Sequence, residues 1–179
     1  MLSLKEQYQE SFKTELMKKF HINNTLAVPK IEKITINVGT GKNFRDVQKF
    51  EKVKAVLTTI AAQKPVSVVS KTSIAQFKTR KGMTIGLKVT LRGDRMYDFL
   101  DRLISIALPR TRDFQGIEAT KIDSKGNVNF GIKEQIIFPE LSNEELGINF
   151  GLQINITISN SDKEKSLYLL KSMGFPFKQ

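Results

Sequence analysis

The chain has 179 residues, 40% of them apolar, and carries 29 Lys+Arg against 18 Asp+Glu, a net charge of +11. That length supports one domain with a sizeable core, and that apolar share excludes a disordered basic tail. The lack of cysteine excludes disulfides, thiolate metal sites and a cysteine nucleophile, and no apolar run reaches the ~18 residues of a membrane span. The opening MLSLKEQYQE has no apolar signal core, and its early Glu residues argue against an Arg-rich transit peptide, which predicts a soluble protein that stays where it is made or one whose presequence has been removed. Charge is distributed unevenly: the balance is +5 over residues 1–60, +8 over 61–112 and −2 over 113–179. An excess concentrated in the middle of the chain points to a localised polyanionic partner.

Leu4, Tyr8, Phe12, Leu16 and Phe20, with Met17 alongside, predict a first helix, followed by a turn at Asn23, Asn24 and Pro29. From Lys33 to Val38 the pattern alternates, with Ile34, Ile36 and Val38 on one face and Lys33, Thr35 and Asn37 on the other, the period of a half-buried strand. After Gly39-Thr40-Gly41 a helix is expected from about Arg45 to Ala62, with Val47, Phe50, Val53, Leu57, Ile60 and Ala61 as its inner stripe. Gln63-Lys64-Pro65 ends it, because proline cannot continue the ladder. A short strand follows over Val66–Ser70.

Lys71 to Arg95 is the most informative stretch, with seven basic side chains and one acidic one. Its first part, Lys71 to Lys81, reads as an exposed basic loop. Its second part alternates, with Met83, Ile85, Leu87, Val89 and Leu91 inward and Thr84, Gly86, Lys88, Thr90 and Arg92 outward. Asp94 is the expected N-cap of the next helix, whose stripe is Met96, Phe99, Leu100, Leu103, Ile104 and Ala107, closed by Pro109. Short strands are expected over Asn127–Ile132 and Leu152–Ser159. A last helix follows, with a capping box at Ser161-Asp162-Lys163-Glu164 and with Gly174 and Pro176 at its end. One-sided alternation predicts an α+β fold: a mainly antiparallel sheet with helices packed on one face and an exposed polar, basic, RNA-binding face.

That outer face collects Lys33, Thr35, Asn37, Lys88, Thr90, Arg92, Asn127, Asn129, Gln153, Asn155 and Thr157. It holds amides, hydroxyls and cations but no carboxylate. A solvated sheet face and a nucleic-acid platform both fit, and the missing carboxylates favour the platform. In the loop, Lys78, Arg80 and Lys81 beside Gly82 are three like charges held together, as a phosphate partner or solvent allows. Phe77 either stacks on an unpaired base or packs the loop onto the body.

Gly39-Thr40-Gly41-Lys42 lacks the spacing of a nucleotide-hydrolysing phosphate loop. It reads either as a turn whose amides and Lys42 meet a polynucleotide phosphate or as a plain strand–helix turn. His21 is the only histidine, which with no cysteine excludes a typical zinc site; its place after a helix suits a capping role. The carboxylate pairs Glu144–Glu145 and Asp98–Asp101 have no convergent base. No catalytic residue set, metal site or cofactor is expected, and the chain is read as no enzyme. An RNA-modifying enzyme would need a cofactor loop or an acid–base pair. A membrane-surface protein would need a basic amphipathic helix.

KITINVGTGK (33–42), QKP (63–65), SIAQFKTRKGMTIGLKVTLRGDRMYDFLDRLISIALPRTRDFQG (73–116), GIKEQIIFPE (131–140) and FPFK (175–178) resemble, in this order, the large-subunit ribosomal protein five family. This is the 5S-rRNA-binding ribosomal protein in its bacterial or organellar form. The resemblance runs through nearly the whole chain. It implies one ribosomal RNA-binding domain over 1–179 with a protruding basic loop at about 71–82. The implied protein is cytoplasmic on the ribosome, or organellar, and joins 5S rRNA to the large-subunit rRNA in the central protuberance beside neighbouring ribosomal proteins. Membrane and small-molecule substrates are not among the implied partners.

By position, the resemblance assigns Asn37, Gly39, Gln63 and Thr90 to the 5S rRNA interface, with Lys33, Lys88 and Arg92 on phosphates. Thr35, Gly41, Lys42 and Lys64 complete that surface. The loop, with Ser73, Phe77, Lys78, Arg80, Lys81 and Gly82, is implied to reach the peptidyl-site tRNA. The chain departs from the family at Gln153, where an acid is usual.

Overall fold

The computed structural model describes residues 3–39, 47–112, 114–141, 147 and 149–178, with only the backbone of Val47. Helix α1 is built from Leu4–Gln7, a π-helical turn Tyr8–Phe12, and Lys13–Lys19. Its apolar residues recur every four positions, which on an ideal α-helix drifts about 40° per step. The wider π turn takes up that drift, so Leu4, Tyr8 and Leu16 are all buried. The helix stops where His21 turns left-handed, φ 51°, and the Ile22 N–H reaches back to the Met17 carbonyl at 3.0 Å. This is the six-to-one closure expected just past a helix end.

Five strands follow the alternation: β1 Lys30–Gly39, β2 Val66–Val69, β3 Thr84–Leu91, β4 Val128–Ile132 and β5 Leu152–Ser159. They form one antiparallel sheet in the order β2-β3-β1-β5-β4. The other helices are α2 Val47–Ala61, α3 Gly93–Arg102 continued by a π turn Leu103–Ala107, and α4 Lys163–Ser172.

Two expected caps differ. Arg92, not Asp94, is the N-cap of α3, and Asp94 lies in its first turn. Asp162 caps α4 by accepting from the Lys165 N–H at 2.9 Å, while the Ser161 hydroxyl pairs with Ser166. The carboxylate, the stronger acceptor of the two neighbours, takes the orphan amide.

The chain divides into two compact units. The first comprises residues 1–35, 91–130 and 154–179. Its core gathers Leu16, Met96, Phe99, Leu100, Leu103, Ile154, Ile156 and Leu169. The buried Tyr8 hydroxyl donates to the Pro29 carbonyl at 2.8 Å, and Lys5 pairs with Asp94 at 2.6 Å. Asp123 accepts from the Asn127 and Lys125 N–H groups at 2.8 and 2.9 Å and from the Asn127 side chain. At its carboxyl, burial opposes ionisation, yet the Asn127 and Lys125 bonds outweigh it and hold the group below the usual range. Gly126, φ +80°, closes this turn; an added Cβ would collide with Ser166 Oγ and meet the Asp162 carbonyl at 2.8 Å. The C-terminal Phe177 forms a parallel bridge to Ile117.

The second unit comprises residues 36–90 and 131–153. Here α2 buries Val53, Leu57, Ile60 and Ala61 of the expected stripe and Val56 beside them, while Phe50 is half-buried and the Val47 side chain lies outside the described residues. Ile36, Val38, Leu87 and Val89 complete that core. Ala62 ends α2 left-handed, φ 49°. The alternation places Met83 and Ile85 inward, but Met83 is half-buried and Ile85 is 39% exposed. The cause is the four-residue β2, whose register with β3 shifts at Val68–Val69. The buried row of β3 therefore starts at Leu87.

Candidate nucleic-acid interface

In the second unit the outward positions of the sheet come from three adjoining strands. Asn37 and Gly39 of β1 are exposed, as are Lys88 of β3 and Gln153 of β5, and Thr90 is half-exposed. Val66 lies opposite Lys88 and Val68 opposite Gly86 across the β2–β3 pair, so these valines share the face of Lys88. Gln63, leaving α2, donates its side-chain N–H to the Thr90 carbonyl at 3.2 Å. That bond fixes the start of the Gln63-Lys64-Pro65 segment against β3. Lys64 is exposed.

Residues 71–82 are a closed hairpin. Ser70 N–H donates to Met83 O at 2.8 Å and Gly82 N–H to Ser70 O at 2.9 Å at its base. Ile74 and Thr79 exchange backbone bonds at 3.0 and 3.2 Å, and Lys81 N–H donates to Ser73 Oγ at 3.0 Å. The tip, Ala75 to Lys78, turns because Lys78 adopts φ 52°. At that tip Phe77 is 69% exposed, which removes the reading in which it packs the loop onto the body. Lys71, Lys78, Arg80 and Lys81 are all exposed.

No Asp or Glu occurs from Lys52 to Gly93, a stretch with nine Lys and Arg. Among the described residues no ion pair engages Lys33, Lys64, Lys71, Lys78, Arg80, Lys81 or Lys88. Among the described residues these cations have no carboxylate partner.

The first unit holds the remaining expected residues, and there the polar groups are more committed. Lys33 and Thr35 are half-exposed on β1. Arg92 lies past the end of β3 and pairs with Glu32 at 3.5 Å, so a carboxylate does stand beside this part of the surface. Asn127 accepts from the Ile158 N–H at 3.2 Å and donates to Asp123, and the Asn155 amide donates to Asn129. These three asparagines hold the fold together instead of facing outward unpaired. Gly41 and Lys42 lie outside the described residues, as do Glu144 and Glu145. Sequence reasoning does not single out Val66, Val68 or Gly86; a glycine inside a strand is the available signal for the last.

Two family models cover most of the chain: "Ribosomal protein L5" matches residues 24–80, and the model of the C-terminal part of the same ribosomal family matches residues 84–177. The chain belongs to the ribosomal L5 family. The family is one of structural, non-enzymatic ribosomal proteins. The chain is 45% identical over 179 residues to the large ribosomal subunit protein uL5 of Colwellia psychrerythraea, covering 100% of this chain and 99% of that one. It is 46% identical to the uL5 of a Shewanella species, with full coverage of both. The Psychrobacter uL5 is 47% identical over 178 residues, covering 99% of this chain and all of that protein. No helix among the described residues is long and apolar enough to cross a membrane.

Proposed function

We propose that this chain binds 5S rRNA through the outward face of β1 and β3, links it to the large-subunit rRNA, and touches peptidyl-site tRNA through the 71–82 hairpin. As a member of the L5 family it is a structural constituent of the large ribosomal subunit, and its bacterial relatives are ribosomal and therefore cytoplasmic. The observation that carries the finer reading is the joint exposure of amides, hydroxyls and unpaired cations in an acid-free stretch. Cations there neutralise phosphates, while Asn37, Thr90 and Gln63 offer donors and acceptors to sugar and base edges. Lys33, Lys64 and Lys88 are assigned to phosphates. Arg92 joins them by releasing Glu32, since an exposed pair of this kind is worth at most about 1 kcal/mol. At the hairpin tip Phe77 is placed to stack on a base, with Lys78, Arg80 and Lys81 on the backbone.

The test is a titration of the purified protein against 5S rRNA, tRNA and a DNA duplex of similar length, each at three salt concentrations. A preference for 5S rRNA that survives moderate salt supports the reading. Equal, steeply salt-sensitive binding to all three reduces the surface to a non-specific basic patch.

A further inference from the structure

Five of the eight large apolar side chains that stand exposed among the described residues fall between Val66 and Ile85: Val66 at 69%, Val69 at 51%, and Ile74, Phe77 and Ile85. Two of them lie on β2, the strand at one end of the sheet, which pairs only with β3. In an antiparallel pair alternate residues turn their N–H and C=O groups away from the neighbouring strand. Half of the β2 backbone is therefore aimed off the sheet. Among the described residues nothing but β3 bonds to the backbone of Val66–Val69.

An open edge is ordinarily blunted by a lysine, a proline or a bulge. Here Pro65 precedes the strand and the register with β3 shifts between Val68 and Val69, but Val66-Ser67-Val68-Val69 carries no charge. The cations stand on either side, at Lys64 and Lys71, both exposed and neither with a carboxylate partner among the described residues. These flanks decide what pairs with the edge. A second copy of the chain, aligned antiparallel with Val66 opposite Val69, sets Lys64 opposite Lys71 at both ends, and like charges directly opposite are destabilising. A strand with carboxylates at those two places gains two attractions instead. Nucleic acid would meet the lysines but cannot continue the ladder.

We propose that β2 takes up an extended acidic segment of a partner protein as an added antiparallel strand. Four uncharged residues of that segment pair with Val66–Val69, and an acidic residue two places beyond each end meets Lys64 or Lys71. Main-chain bonds supply the attachment and the flanking charges select the partner. Val66 and Val69, three residues apart, fall on opposite sides of the strand, so β-branched residues on both sides of the incoming segment cover them. The pairing uses the edge of the sheet and stands independently of the RNA-platform reading.

The probe is an end-blocked, labelled peptide of eight residues, with glutamate at both ends and threonine and valine alternating between them. It is titrated against the purified protein by fluorescence anisotropy, and amide hydrogen exchange is read over Val66–Val69. The expected result is saturable binding that slows exchange across β2, with about tenfold weaker binding of the same peptide carrying lysine ends. Replacing Lys64 and Lys71 together by Glu reverses that order, so that the lysine-ended peptide becomes the tighter. Both positions are exposed, and thermal unfolding checks that this variant folds. Replacing Lys78, Arg80 and Lys81 by Gln leaves the affinity for the glutamate-ended peptide within about twofold, since those cations lie outside the paired segment. No saturable binding overturns the proposal. Binding that leaves β2 exchange unchanged, or that the hairpin variant abolishes, is general attraction to the basic surface and overturns it as well. If 5S rRNA and not the peptide slows exchange across β2, the edge belongs to the nucleic-acid surface and the proposal falls.

Discussion

At Tyr8 a single hydroxyl ties the first helix to the segment that enters β1, through the bond to the Pro29 carbonyl. Burial pushes this phenol up to about 12, with Tyr97 adding to the shift, against about 10 in an unfolded chain. A raised folded-state value means that the neutral form is favoured by folding. Its contribution is therefore complete below about pH 10 and is lost as pH rises through 12. Tyr8→Phe should cost about 1–2 kcal/mol at neutral pH, and the gap to the unaltered protein should narrow between pH 10 and 12 in urea unfolding. A gap that stays constant over that range would show that the hydroxyl is not the titrating group. Glu32 gives a second prediction. It is the carboxylate beside Arg92, so Glu32→Gln should tighten 5S rRNA binding about twofold to fivefold at low salt by removing a repulsive charge; weaker binding would mean that Arg92 needs Glu32 to hold its position. The outward positions of the candidate interface are legible one by one from alternation: Asn37 and Lys88 are exposed and Thr90 is half-exposed. What the sequence does not carry is which polar groups are already engaged. Asn127, Asn129 and Asn155 have the same residue type as Asn37, and only their neighbours engage them: Asp123 and the Ile158 N–H for Asn127, and each other for Asn129 and Asn155.

Among the elements, strands are the more legible, because a period of two has one meaning once one face is buried, and β5 matches its expected span, Leu152–Ser159. Helix ends are less so. At both α3 and α4 an Asp or Ser stands within two residues of the true cap, and the choice between adjacent oxygens depends on tertiary partners such as Ser166 for Ser161. The π turns in α1 and α3 leave little trace in the sequence, although the four-residue spacing in α1 hints at the first. The end of α2 yields a prediction: Ala62 is left-handed, a conformation that costs a residue with a Cβ about 1 kcal/mol, so Ala62→Gly should raise the melting temperature by about 2–4 °C. No gain would mean that glycine's freedom in the unfolded chain offsets the relief. The hairpin is separable in the same way. Neutralising Lys78, Arg80 and Lys81 together to Gln should spare 5S rRNA affinity and weaken tRNA binding to ribosomes carrying the variant. Loss of 5S binding with unchanged tRNA affinity would reverse the two assignments.

For the whole molecule, charge governs how far and how fast a polyanion is drawn in. If about six phosphates are engaged, the logarithm of the binding constant should fall with the logarithm of salt at a slope of roughly −4 to −5. A slope near −1 would place most of the affinity in uncharged contacts. Acid acts on stability separately. At Asp162 the Lys165 backbone and side chain, and at Asp123 the Asn127 and Lys125 bonds working against burial, hold the carboxyls below the ordinary value. What they contribute is present above about pH 4 and is lost as pH falls through their folded values.

The 71–82 hairpin holds its own shape through bonds at base, middle and neck. If the hairpin contacts RNA as proposed, a segment already closed on itself has no folding step to complete after contact and would meet its target as a preformed probe. Its capture rate should then follow collision frequency and ionic strength alone. In a stopped-flow experiment association would rise linearly with RNA concentration, with no plateau from a slow rearrangement in the protein.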